Sequence, residues 1–193
     1  MSYISRGYIE CFQEIKAQWK AFSDCSSQNA PSDIVVASGS GGTIAGLCIA
    51  SYLNNCSTRI HAIAVCDDAE YFTNHVKEIF AAHGFPPEDV PKVLNSVETY
   101  RGIGYALSTE RELDLISQVA RDTGIITDPV YSGKAVVGMM DLICNHPHVF
   151  MGQDILFIHT GGLFGFFTSD RLFQLEKLLP RNEVTVLCNS PEL

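Results

Sequence analysis

Residues 34–53 read IVVASGSGGTIAGLCIASYL. A β-branched run meets four glycines crowded between Gly39 and Gly46, then a stretch of mostly small or apolar residues. A short apolar run without polar alternation reads as a strand buried on both faces. A helix that is apolar all round must also be buried. A strand over 34–37, a tight turn and a helix over 43–53 therefore make a βα unit inside a core. That fixes the class as α/β, with a mostly parallel sheet and helices on both faces.

The rest of the chain repeats the logic. Tyr8, Phe12, Ile15, Trp19 and Phe22 recur at spacings of four and three, one stripe of a helix, and the polar segment 23–33 ends it. RIHAIAVC at 59–66 reads as a second strand. A helix over 71–82 stops at GFPP, and a less regular stretch runs to about residue 108. Thr109 and Glu112 form a capping-box pattern before an apolar helical face. GIITDPVYSG at 124–133 reads as a short strand entering a turn, followed by a helix over 134–144. Residues 154–159 read as another buried strand, broken by TGG at 160–162. A helix to about 179 and a strand in NEVTVLC complete the expectation.

Ligands of open parallel sheets sit at the carboxyl ends of the strands, where both Gly turns fall. In SGSGGT, several backbone N–H groups can converge on one anion, with the positive end of a helix behind them. Ser40 and Thr43 add hydroxyls. The loop has no Lys, so it is not a Walker loop. It also misses G-x-G-x-x-G, because Ile44 stands where the third Gly is needed. Asp67 and Asp68, ending the second strand, still leave room for a ribose-binding acid and thus for a Rossmann nucleotide site. Glycines that merely let helix and sheet pack closely are the plainer alternative.

Tyr131 is an acid/base candidate and Lys134 a candidate charge for an anion, against a solvated turn with a surface Lys. His146 and His148 read as a helix-end loop rather than metal ligands, and His159 as a satisfied core histidine. There is no G-x-S-x-G elbow.

The formal net charge of −9 argues against a nucleic-acid surface. No apolar run is long enough to span a membrane, and MSYISRGYIECF does not read as a secretory signal. Seven Cys without a C-x-x-C pattern read as free thiols in a reducing compartment. The cytoplasm is the expected location, with an organelle left open.

SGSGGTIAG, GIITDPVYSGKAVVGM and ILFIHTGGLFG, in that order and spacing, resemble the D-cysteine desulfhydrase and 1-aminocyclopropane-1-carboxylate (ACC) deaminase family. GYIE, VCDD and GYALSTE also match. These are pyridoxal-phosphate (PLP) enzymes of the tryptophan-synthase-β fold, fold type II. The resemblance implies that Gly39, Ser40, Gly41, Gly42 and Thr43 hold the PLP phosphate. It implies that Tyr105 and Tyr131 face a small amino-acid substrate, and that Ser132 and Thr160 lie near the pyridine nitrogen. Bacterial ACC deaminases carry Glu at the position of Ser132. A carboxylate there makes the ring a strong electron sink, which cyclopropane opening needs. Hydroxyls give a weaker sink that suffices when a thiolate leaves. The resemblance thus points to D-cysteine going to pyruvate, H2S and ammonia. ACC deaminase-like activity and a non-catalytic phosphate-binding remnant remain alternatives.

The family's Schiff-base Lys lies in its N-terminal half. None of Lys16, Lys20, Lys77, Lys92, Lys134 and Lys177 stands in that context, and family members carry a Lys at the position of Lys134 in addition to their anchor. Residues 1–180 are therefore expected to be an incomplete PLP-binding large domain, with 181–193 a tail and the small domain absent. Alone the chain should be inactive, with exposed apolar surface that invites a homodimer or a complementing N-terminal segment.

Overall fold

The computed structural model describes residues 3–22, 29–55 and 57–167. Helix α1 (Tyr3–Phe22) leads to strand β1 (Asp33–Ser38), helix α2 (Gly42–Leu53), strand β2 (Arg59–Ala64) and helix α3 (Ala69–Ala82). A 3-10 turn, a single helical turn α4 (Val90–Val93) and strand β3 (Leu94–Val97) follow. Then come α5 (Glu110–Thr123), α6 (Ser132–Asn145), β4 (Ile155–Ile158) and a 3-10 turn over Leu163–Phe166.

Among the described residues four strands form one parallel sheet, in the order β3-β2-β1-β4. Every residue of β1 is buried, because neighbours flank it and helices cover it. Its side chains alternate between two cores. Ile34 and Val36 pack with Phe12 of α1, the α2 face and Phe72, Val76 and Phe80 of α3. Val35 and Ala37 face the other way, toward Ala135 and Leu142 of α6. The two-faced α/β sheet expected from the sequence is present.

The chain steps from β1 outward through β2 to β3, then returns to the opposite side of β1 for β4. The loops after β1 and β4 therefore diverge, and a crevice opens at their carboxyl ends.

Three local expectations need correction. The stretch 124–133 forms no strand: Ile125 and Ile126 are exposed, and the segment runs irregularly into the turn before α6. Residues 94–97, expected to be irregular, form β3 at the edge of the sheet. His159 follows β4 instead of lying in it; it is exposed, although its ring is hydrogen-bonded. The capping box of α5 is formed as expected, with the Thr109 amide donating to the Glu112 carboxylate at 2.6 Å and the Glu112 amide to Thr109 Oγ1 at 3.2 Å. The end of the expected last helix, the NEVTVLC strand, Lys177 and the 181–193 tail lie outside the described residues. Cys11, Cys48, Cys66 and Cys144 are free thiols. Among the described residues no helix is long and apolar enough to cross a membrane.

Candidate active site

A cavity of ≈340 Å³ occupies the crevice. Ala37 to Gly41, Thr43 and Ile44 form one wall, Tyr131 another, and Thr160 to Gly162 close it. Its size is in the range of small-ligand sites. Of the residues expected to hold phosphate, Gly39, Ser40, Gly41 and Thr43 line it, and Gly42 is the first residue of α2.

Gly41 makes the loop possible. Its φ of +81° is unfavourable for any residue with a Cβ, and a Cβ there would stand 2.6 Å from His75 Cδ2. No side chain caps the N-terminus of α2. Its first amides therefore face the cavity end of the helix without a built-in acceptor, with the positive pole of the helix dipole behind them. Ser38 is also part of the cavity wall, and its buried Oγ has no hydrogen-bond partner among the described residues.

The turn before α6 is organised by Asp128, which in the sequence is only one residue of a polar turn. Asp128 is fully buried. Its carboxylate accepts from the amides of Val130 and Tyr131 at 2.8 Å each, from the Ser132 amide at 2.7 Å and from the Ser132 hydroxyl at 2.6 Å. It thereby caps α6 from four residues upstream, a favourable place for a negative charge. An Asp just before an apolar helix was the available signal. Ser132 is correspondingly committed to Asp128 and is not among the cavity-lining residues. Thr160 is the lining hydroxyl of the pair expected near a pyridine nitrogen.

Three separate sequence segments are tied together here. The Tyr105 and Tyr131 hydroxyls lie 2.5 Å apart, and Ser108 Oγ donates to the Pro129 carbonyl at 3.0 Å. His159 Nε2 meets the Ile126 carbonyl at 2.8 Å. Gly162 has φ +101°, and a Cβ on it would reach within 2.6 Å of the Asp128 carboxyl. GYALSTE, DPVYSGK and HTGG are thus one packed unit. The Tyr105 bond, followed by burial and the nearby Cys66 and Asp128, pushes the Tyr131 phenol up to about 12. Tyr131 is therefore a neutral hydroxyl at physiological pH, able to donate a hydrogen bond. Burial and the Asp67 carboxylate push the Cys66 thiol up as well.

Other candidates have structural duties. Lys134 is neither a surface lysine nor a cavity residue: it is 1% exposed, and its Nζ donates to the carbonyls of Arg101 and Gly104. Asp68 caps α3 by accepting from the Tyr71 amide, and Asp67 accepts from Cys66. Neither lines the cavity. His146 and His148 stack edge to face beyond the end of α6.

Comparison with known proteins gives this geometry a family. The chain is 42% identical over 175 residues to the bifunctional D-cysteine desulfhydrase/1-aminocyclopropane-1-carboxylate deaminase, mitochondrial, of Arabidopsis thaliana, covering 90% of this chain and 41% of the relative. It is 37% identical over 142 residues to a putative 1-aminocyclopropane-1-carboxylate deaminase of Thermotoga maritima, covering 72% and 43%. A crystal structure of an ACC deaminase homologue superposes with a TM-score of 0.67 at 34% identity, covering 91% of this chain and 50% of that one. The chain spans less than half the length of these curated relatives. The family model described as pyridoxal-phosphate-dependent enzyme matches residues 2–161, and the chain belongs to that family.

Proposed function

We propose that this chain forms the phosphate-binding half of a PLP-dependent lyase of D-cysteine desulfhydrase type. The observation that carries the proposal is the convergence of the Gly39–Thr43 loop, Tyr131 and Thr160 on one cavity at the topological switch point. The residues fit the cofactor: an uncapped helix N-terminus and an unpartnered buried Ser38 hydroxyl suit a phosphate, and the opposite wall is an aromatic ring. When bound, PLP supplies the electron sink for loss of the Cα proton and departure of a β substituent.

The chain's own residues then have distinct tasks. The loop amides and the Ser40 and Thr43 hydroxyls hold the phosphate. Thr160 offers the ring nitrogen a neutral hydroxyl, which favours a thiolate-releasing elimination of D-cysteine over the opening of ACC. Tyr131, kept protonated by Tyr105, donates a hydrogen bond toward the substrate end of the cavity. No described lysine lines the cavity. The lysine that would bind the cofactor aldehyde and move the Cα proton must come from outside the described residues.

The test is sulfide and pyruvate release from D-cysteine with added PLP, with ACC as the comparison substrate. The chain alone is expected to release no sulfide. Joined to a lysine-bearing N-terminal segment of the family, it is expected to act on D-cysteine in preference to ACC. Turnover by the chain alone, with the cofactor attached to Lys134, would overturn this division of labour. By composition and the company of its relatives, the location proposed is the cytoplasm or an organelle matrix.

A further inference from the structure

Lys134 stands at the third position of α6, with 1% of its surface exposed. An ammonium at that depth forfeits hydration and must be repaid by close acceptors. It also lies in the first turn of a helix, where the dipole disfavours a cation. Helix packing alone gives no reason for a lysine here. Its Nζ donates at 2.7 Å to each of two carbonyls, those of Arg101 and Gly104. Those two acceptors bracket a turn that ends immediately before Tyr105.

The same loop shows backbone tension beyond its glycines. Ala106 has φ +59°, a left-handed conformation that a residue with a Cβ adopts only when its surroundings hold it there. On one side of Ala106, Tyr105 meets Tyr131 at 2.5 Å; on the other, Ser108 donates to Pro129 at 3.0 Å. Lys134 supplies the third tie, and it does so from the turn that also carries Tyr131.

We propose that Lys134 is a positioning residue that clamps the 101–107 loop onto the start of α6 and so sets Tyr105 against Tyr131 at the cavity. It acts through Tyr105 and anchors neither cofactor nor substrate anion. Its relevance to catalysis rests on the PLP reading above, whereas the clamp itself is testable without any cofactor.

The full 193-residue chain, labelled with 13C at tyrosine Cζ, is compared with Lys134→Met, which removes the donors at similar length. In the unsubstituted chain the linkage to Tyr105 through their hydrogen bond is expected to hold the Tyr131 signal above the ordinary tyrosine titration range, with burial, Cys66 and Asp128 adding to it. Lys134→Met should abolish that linkage. It should also raise amide exchange across 101–107 by roughly tenfold or more, leaving β1 and β2 unchanged. Unaltered tyrosine signals, or exchange rising evenly through the fold, would overturn the proposal. Should Lys134→Met fail to fold, acetic anhydride labelling of the unsubstituted chain decides. Lys134 is expected to react roughly tenfold or more slower than the exposed Lys20, and equal reactivity overturns the clamp. Failure to bind PLP with the tyrosine linkage intact would remove the cofactor reading and leave the clamp standing. PLP binding with no linkage would do the reverse.

Discussion

Gly41 concentrates the demands of the loop in one residue: a positive φ, contact with His75 and a place at the N-terminus of α2. Gly41→Val should keep the sheet but cost about 1–2 kcal/mol of stability and weaken PLP binding by roughly tenfold or more, measured by denaturant titration and by equilibrium dialysis. A second residue-scale prediction concerns alkali. Burial and the Asp141 hydrogen bond push the Tyr100 phenol up to about 12, and Tyr131 stands at a similar value. Both are raised above their ordinary 10.0, so the stability they contribute is full below that value and is lost as pH rises toward 12. Urea unfolding across this window should show stability falling with pH, and Tyr100→Phe should flatten part of the slope. The placement of Gly39, Gly41 and Tyr131 on the crevice was legible because glycine turns at strand ends and the order of the motifs carry that information. Asp128 and Lys134 were not. Their roles depend on carbonyls and amides of other segments, and sequence spacing does not say which backbone atoms will converge.

Between elements, a buried polar network lies at the opposite end of the sheet from the cavity. Asp33 on β1 meets His61 Nε2 on β2 at 2.8 Å, and Asn95 on β3 donates to His61 Nδ1 at 3.0 Å. Asp33 also accepts from the amides of Met151 and Gly152, which fixes the approach to β4. One buried carboxylate thus couples all four strands. Burial pushes the Asp33 carboxyl up, but the His61 bond and the two amides together hold it below its ordinary 3.8. Its stability contribution is therefore present above that value and lost as pH falls through the lower folded value. Asp33→Ala should cost about 3 kcal/mol at neutral pH, seen as a lower urea midpoint, and should flatten acid destabilisation in that window. These elements also show what sequence periodicity can resolve. β1 and β2 were legible because strands covered on both faces are continuously apolar. LNSV was not, since a four-residue edge strand takes its pairing from β2 and has little pattern of its own. GIIT misled in the other direction: it has strand-like residues, but no neighbouring strand pairs with it.

At the scale of the whole molecule, the described surface carries large apolar side chains. Ile103, Leu107, Ile125 and Ile126 are each more than half exposed, and Phe164 and Phe167 are 88% and 70% exposed. They belong to the loops around the three joined motifs, and among the described residues β4 beside them is an edge strand. Surfaces of this kind favour association. Sedimentation should show the chain forming dimers or larger species as concentration rises, and adding a complementing N-terminal segment should reduce that self-association. A strict monomer at all concentrations would count against it. The central claim is that this chain carries the phosphate end of a PLP site without the lysine end. Equilibrium dialysis of the chain against PLP, with inorganic phosphate as competitor and borohydride reduction followed by peptide mapping, tests both halves together. The account predicts PLP binding that phosphate displaces, with no reduced adduct on Lys134. An adduct on Lys134, or binding indifferent to phosphate, would contradict it.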